Sequence, residues 1–221
     1  MKEKVVTLLS GGLDSSTLLA YLIDNGYEPY VITFEYGQIH EKEIISAVAI
    51  ARHYGIKNHK IIKINMKDIA KSALLDRNTG IPMDRYVMNE IPVTYVPARN
   101  IVFLSIALSY AESENIENIA IGANAIDYSG YPDCREDFFK LFEEMANEGT
   151  KMGLSYGNIE IMRPFIHMSK KDIVLLGNSL HLPFEKTWSC YNGNEKPCMH
   201  CDSCILRSKG FKEANVTDPL V

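Results

Sequence analysis

The chain has 221 residues, 46% of them hydrophobic and 23% charged, with a formal net charge of −5. That length holds one substantial core, or a domain with a small appendage, and the acidic balance argues against a broad nonspecific nucleic-acid surface, which needs excess lysine and arginine. No apolar run approaches the roughly 20 residues a membrane helix requires, and the N-terminus enters a strand without a signal-peptide pattern, so a cytoplasmic location is expected.

In chain order, the apolar run from Val5 to Leu9 reads as a strand. It is followed by Ser10-Gly11-Gly12-Leu13-Asp14-Ser15-Ser16 and a helical run from Thr17 to Ile23. A strand, a glycine turn and a helix start form a phosphate-binding arrangement. The adjacent glycines let backbone N–H groups approach an anion, and the positive end of the helix points at the same place. Ser10, Ser15 and Ser16 add hydroxyls. No lysine follows the glycines, so the Walker pattern is absent, and the GxGxxG spacing is not matched either. The plainer alternative is a capped glycine turn in which Asp14 and Ser15 only start a helix.

Asn25-Gly26 ends that helix, Tyr30 to Phe34 reads as a second strand, and Glu41 to Tyr54 carries Ile44, Ile45, Val48, Ala49 and Ala51 at helical spacing. Lys60 to Ile64 is a third strand candidate. Strands separated by helices of this length predict right-handed βαβ units and a parallel sheet. Tyr36-Gly37-Gln38-Ile39-His40 follows the second strand as a polar loop, where His40 would line a nucleotide pocket or simply face solvent. Asp76 to Pro97, with Gly80, Pro82, Pro92 and Pro97, is a long loop of the kind used as a lid or binding segment.

Val96-Pro97-Ala98-Arg99-Asn100 leads into a helix running to Glu114, with Pro97 and Asn100 suited to its start. The planar fork of Arg99 suits a phosphate or a carboxylate, and a solvated arginine beside a helix start is equally ordinary. Ile119 to Ile121 is a short strand, and the polar stretch from Gly122 to Arg135 follows at its end, where ligands bind in open parallel sheets. Asp127 and Asp133 would accept from the N–H and exocyclic amine of a guanine-like base, with Tyr128 or Tyr131 over its ring. Turn formation alone would also explain these residues. Cys134 would be a nucleophile only if Arg135 lowered its pKa; otherwise it is a small buried residue.

Glu136 to Asn147 reads as a helix, Ile159 to Met162 as an edge strand, and Ser169 to Leu180 as a helix capped by Ser169. Lys170, at the start of that helix, would reach the β and γ phosphates of ATP or a leaving pyrophosphate, although taken without the glycine motif it reads more simply as a surface lysine. From Pro183 onward the sequence is irregular and polar. Cys190, Cys198, Cys201 and Cys204 supply the four thiolates of a closed tetrahedral zinc site. An Fe–S cluster also takes four thiolates, but nothing else here suggests redox work. His200 lies between two of these cysteines and reads as an exposed neighbour. The expected organisation is an α/β domain over residues 1–182 with a zinc-binding extension over 183–221 packed on it.

The Ser10–Ser16 segment resembles the signature of the PP-loop ATP pyrophosphatases, which split ATP between the α and β phosphates to adenylate a substrate. Together with YGQIH, VPARN, GANAIDYSGYPDCR, RPFIHMSK and the four cysteines, nearly the whole chain resembles the 7-cyano-7-deazaguanine synthase family of queuosine-precursor biosynthesis. The resemblance implies the adenine nucleotide alpha-hydrolase-like (PP-loop) fold. It also implies an ATP-dependent carbon–nitrogen ligase that turns 7-carboxy-7-deazaguanine and ammonia into the nitrile. Further implications are ATP with Mg²⁺ as co-substrate, one structural Zn²⁺ per chain, a homodimer, and neither a nucleic-acid nor a membrane partner. Leu9, Ser10, Gly11, Gly12, Leu13, Asp14, Ser15 and Ser16 would hold ATP, with Asp14, Ser15, Arg99 and Lys170 acting on the polyphosphate. Gln38, Asp127, Tyr131, Asp133 and Arg135 would hold the deazaguanine. The family's equation is commonly written with ADP and phosphate, whereas PP-loop chemistry favours AMP and pyrophosphate. The rivals are a PP-loop enzyme that thiolates tRNA, which wants a basic face and a sulfur-carrying cysteine, and a nucleotide-binding module without turnover.

Overall fold

Five parallel strands form one sheet in the order β3-β2-β1-β4-β5. They are β1 (Lys4–Leu8), β2 (Glu28–Glu35), β3 (His59–Lys63), β4 (Asn118–Ala120) and β5 (Glu160–Met162). The computed structural model describes residues 2–39, 41–76, 78–84, 90–125 and 130–221. His40, Asp127 and Tyr128 lie outside the described residues.

Alternation along the strands sends side chains into two separate cores. Val6 and Leu8 of β1 join one apolar cluster, while Val5 and the following Leu9 join another. Ile32 and Phe34 of β2 follow the first pair, and Val31 the second. A sheet buried on both faces needs helices on both. The first face is covered by α3 (Arg99–Glu114) and α4 (Glu136–Gly149), through Phe103, Leu104, Leu108, Phe139 and Phe142. The second is covered by α1 (Leu13–Asp24), α2 (Lys42–His53), α6 (Lys170–Ser179) and α7 (Asp202–Ala214). Leu18, Leu22, Ile50, Ile173 and Phe211 carry that contact. A short α5 (Lys151–Tyr156) leads from α4 toward β5.

Strand order reverses between β1 and β4, and the crevice beyond their C-terminal ends is where open α/β sheets bind ligands. Two glycines make the close approach there possible. Gly11 has φ +82°, and a Cβ on it would lie 2.4 Å from backbone atoms of Glu43 and Ala47 in α2. A Cβ on Gly122, just after β4, would lie 3.1 Å from the backbone of Asp14 and Ser15.

The predicted parallel sheet and its helices are present, with β1, β4 and α3 shifted by about one residue, within ordinary end-fraying. Three local expectations need correction. The segment after Pro183 is not irregular throughout, because α7 runs for 13 residues. Its buried side includes Ser203, Cys204, Arg207 and Gly210 beside Leu206 and Phe211, so no apolar stripe marks it in the sequence. The start of α3 is Ala98, in the left-handed region at φ +55°, without a side-chain cap. Its free N–H is satisfied from another segment: Asn100 N donates to Asp133 Oδ2 at 3.0 Å, and Asn100 Nδ2 returns a bond to the Asp133 carbonyl at 2.9 Å. α5 was not expected, being only 6 residues long.

The C-terminal tail is tied down by a buried arginine on α7. Arg207 donates from Nε and Nη2 to the two Asp218 oxygens at 2.7 and 2.9 Å, and from Nη1 to Thr187 Oγ1 at 2.7 Å. Two-point geometry with every charge partnered is the case in which a buried ion pair recovers its desolvation cost.

Candidate active site

A cavity of about 230 Å³ opens at the C-terminal ends of β1, β2 and β4. Leu9, Ser10, Gly12, Leu13, Asp14 and Ser15 line its floor. The loop is held by its own hydroxyls: Ser10 and Ser15 Oγ lie 2.9 Å apart, Ser10 N donates to Ser15 Oγ at 3.1 Å, and Gly12 N donates to Ser10 Oγ at 3.2 Å. The start of the 12-residue α1 therefore lies on the cavity wall beside the Ser10 and Ser15 hydroxyls, with the positive end of the helix on that side. Gly11 and Ser16, the other two residues of the predicted loop, are not on its wall. Gly11 is wedged against α2, and the fully buried Ser16 hydroxyl has no hydrogen-bond partner among the described residues.

Lys170 and Asp14 meet although 156 residues separate them. Lys170 Nζ donates to both Asp14 oxygens, at 2.8 and 2.7 Å, with side-chain exposures of 7% and 16%. Two features fix the lysine. Ser169 and Asp172 form a reciprocal capping box that starts α6 one residue earlier. On α7, Gly210 packs against the lysine stem, where a Cβ would come within 2.5 Å of Cγ.

Arg99 enters from the start of α3. Its guanidinium carbon is 5.8 Å from the centre of the Tyr36 ring, and Nη1 donates to the Tyr36 hydroxyl at 3.4 Å. Burial pushes the Tyr36 phenol up to about 12, against the pull of Arg99. Opposite, on the first turn of α2, Glu43 also lines the cavity. Loss of water raises its carboxyl to about 7 although the positive charge of Arg99 opposes the rise. Gln38 lines the cavity with its amide folded back, accepting from Tyr36 N at 2.8 Å and donating to the Phe34 carbonyl at 3.3 Å.

The predicted substrate loop divides. Tyr131 reaches the cavity and shares a 2.9 Å hydrogen bond with Thr94. Asp133 is 4% exposed, spends its carboxylate on the backbone of α3 and does not line the cavity. Arg135 is exposed in front of α4 and is also absent from the wall. Cys134 does line it, but burial and the neighbouring Asp133 push its thiol up to about 12. It is therefore a neutral thiol at physiological pH, not an activated nucleophile.

The four cysteine sulfurs of the C-terminal segment lie within 4.8 Å of one another. For Zn–S bonds of 2.3 Å, tetrahedral geometry separates sulfurs by about 3.8 Å. The observed Cys198–Cys204 separation of 4.0 Å fits. Backbone N–H groups of Cys198 and Cys201 point at the sulfurs of Cys190 and Cys198, each at 3.3 Å, as outer partners of a thiolate site do. His200 turns away, pairing through Nδ1 with Asp84 at 2.8 Å. All four candidate donors are sulfur, so a tetrahedral ion held by them would have no position left for a reactive water.

This segment also builds a wall of the cavity. Trp188, the single tryptophan, donates its backbone N–H to the Gly11 carbonyl at 2.9 Å and its indole N–H to the Cys190 carbonyl at 2.9 Å. Lys42 Nζ lies 4.4 Å over its ring. Trp188, Tyr191 and Arg207 line the cavity with Glu43, and sequence reasoning missed all four. A lone tryptophan two residues before the first cysteine of the cluster was a usable signal. Glu43 gave none, since a glutamate in a helix start is ordinary.

Residues 4–215 match the family model described as "Queuosine biosynthesis protein QueC". A Thermoplasma volcanium protein named 7-cyano-7-deazaguanine synthase is 53% identical, over 100% of this chain and 91% of that one. The protein of that name from Trichodesmium erythraeum is 49% identical, over 99% of this chain and 100% of its own. Among solved structures, the fold resembles NMN synthetase from Francisella tularensis, with a TM-score of 0.51 at 16% identity, over 98% of this chain and 74% of that one. It also resembles a 4-thiouridine synthetase solved with RNA and bound ATP, with a TM-score of 0.52 at 16% identity, over 95% of this chain and 53% of that one. With the glycine loop at the β1/β4 crevice, the Asp14–Lys170 pair beside it and full-length similarity at this level, the chain belongs to the QueC family, that of the 7-cyano-7-deazaguanine synthases.

Proposed function

We propose that this chain converts 7-carboxy-7-deazaguanine and ammonia into 7-cyano-7-deazaguanine, activating one carbon twice with ATP in the cavity above the glycine loop. The observation that carries this reading is that one cavity joins the glycine loop at the start of α1, the cationic side chains of Lys170 and Arg99, and a set of aromatic walls. A carboxylate is a poor acyl donor because oxide is a poor leaving group. Attack of a carboxylate oxygen on the α phosphorus expels pyrophosphate and leaves an acyl adenylate. Ammonia adds to the acyl carbon, a proton is lost, and AMP departs to give the amide. Attack of the amide oxygen on a second ATP expels another pyrophosphate. Loss of AMP with both nitrogen-bound protons leaves the nitrile.

In this reading the Ser10–Ser15 loop receives the phosphates, and Lys170 and Arg99 offset the negative charge that builds on the leaving group, with Mg²⁺ accompanying the nucleotide. Asp14 holds the lysine ammonium where it is needed. Gln38 and Tyr131 border the base, and Asp127 belongs to the same proposed subsite. Cys190, Cys198, Cys201 and Cys204 would hold one Zn²⁺, which stabilises the segment that carries Trp188. The protein is proposed to work as a homodimer in the cytoplasm. The thiolating alternative requires a sulfur-carrying cysteine, and the only one outside the metal cluster is Cys134, whose thiol is held neutral.

Incubation with ATP, an ammonium salt and 7-carboxy-7-deazaguanine should yield a product with the mass of the nitrile. Sulfur incorporation into tRNA without nitrile would instead favour the thiolating reading, and ATP binding with no product the non-catalytic one.

A further inference from the structure

The cavity has only two carboxylates on its wall among the described residues, Asp14 and Glu43. They are not equivalent. Asp14 has both oxygens engaged by Lys170 at 2.7 and 2.8 Å. Among the described residues Glu43 has no side-chain hydrogen bond of that kind; it stands on the first turn of α2 and lines the cavity together with Tyr36, Phe103, Trp188 and Tyr191. Its backbone is fixed as well: the Glu43 carbonyl lies 2.4 Å from where a Gly11 Cβ would be, so it stands against the phosphate loop itself.

Resting on the function proposed above, we propose that Glu43 reads the base, accepting hydrogen bonds from the ring N1–H and the 2-amino group of 7-carboxy-7-deazaguanine. The chemistry of that edge is specific. A guanine-type pyrimidinone presents two adjacent donors, and a carboxylate is the side chain that accepts from both at once. The neighbouring acceptor oxygen of the base then falls toward the cation at Arg99, which lines the same cavity. The aromatic side chains supply planar apolar surface for the bicyclic ring. Asp133, the residue whose type suggested this task, is committed to α3 and does not reach the cavity.

The role is one of selection among substrates, so the test compares substrates. Wild-type enzyme, Glu43→Gln and Glu43→Asp are assayed with 7-carboxy-7-deazaguanine and with its analogue lacking the 2-amino group, while ATP affinity is measured by calorimetry. Wild type should prefer the amino compound by about 100-fold or more in kcat/KM, because a half-buried carboxylate that the bound base shields from water is left unpaired where the donor is missing. Glu43→Gln should bring that preference to within about fivefold, through KM, with ATP affinity unchanged, and Glu43→Asp should restore part of it. Preservation of the wild-type preference in Glu43→Gln overturns the assignment. So does loss of the preference in Asp127→Asn alone, or a fall in ATP affinity of Glu43→Gln as large as its fall in deazaguanine use. A wild-type enzyme that makes no nitrile from either compound overturns the proposed function, an outcome separate from these.

Discussion

Lys170 and Asp14 form a nearly buried pair at the mouth of the glycine loop, and the two partners have different uses. The carboxylate holds the ammonium in place, and in the proposed function phosphate oxygens would give it a second set of acceptors. Lys170→Met should lower turnover by about 10²–10³, as removal of one preorganised charge donor does. It should also cost about 3–5 kcal/mol of stability in denaturant titrations, since Asp14 is then left without its buried partner. Glu43 offers the opposite linkage. Its carboxyl titrates near 7 in the folded protein against an ordinary value of 4.5. The folded state therefore binds the extra proton between those values, and the stability it gives is complete below about 4.5 and lost as pH rises through about 7. Glu43→Gln removes this dependence. The ligand-free variant should gain up to roughly 3 kcal/mol over wild type at pH 8 and nothing at pH 4, as read by denaturation at both.

At the scale of elements, the start of α3 sets the position of Arg99. Its backbone donor at Asn100 depends on Asp133, and the left-handed Ala98 immediately before it is held by Ala98 N donating to the Tyr95 hydroxyl at 3.1 Å. Asp133→Ala should lower stability by about 0.5–2 kcal/mol, the usual worth of a helix cap. It should impair ATP and deazaguanine use together, in contrast with the substrate-selective effect expected at Glu43. Parallel kinetics with both substrates varied will separate the two patterns. The elements themselves were largely legible in the sequence, because the apolar run Val5–Leu9 and the helical spacing of Ile44, Val48 and Ala51 are local signals. Asp133 was misplaced because an aspartate in a polar loop carries no mark of whether it faces a ligand or a helix end 33 residues away. α7 went unread because packing against Lys170 requires Gly210, and the buried Arg207 stands where an apolar residue would have revealed the face.

Across the whole molecule, the cysteine segment and the glycine loop are one construction. Trp188 bonds to Gly11 and to Cys190, Arg207 joins Thr187 to the tail, and α7 lies over Lys170. The sequence showed the ligand set through its spacing, but nothing local shows that these residues also close the nucleotide cavity. Zinc binding in small thiolate sites is worth on the order of 10–16 kcal/mol, so if the four cysteines hold zinc as proposed, stripping the metal should loosen this wall before it unfolds the sheet. Treatment with a strong chelator should release one zinc per chain, shift Trp188 emission to longer wavelength and weaken ATP binding, with the far-ultraviolet signature of the sheet domain retained. Unchanged ATP affinity after metal loss would mean that the wall stands without it.

The central claim is that this single cavity activates the same carbon twice, each time by attack of oxygen on the α phosphorus of ATP. It is tested most directly by supplying 7-carboxy-7-deazaguanine with both carboxylate oxygens isotopically labelled and following the label by mass spectrometry. The account predicts an unlabelled nitrile, with both labels recovered in AMP, one per AMP molecule. Label in inorganic phosphate, with ADP as the nucleotide product, would contradict it.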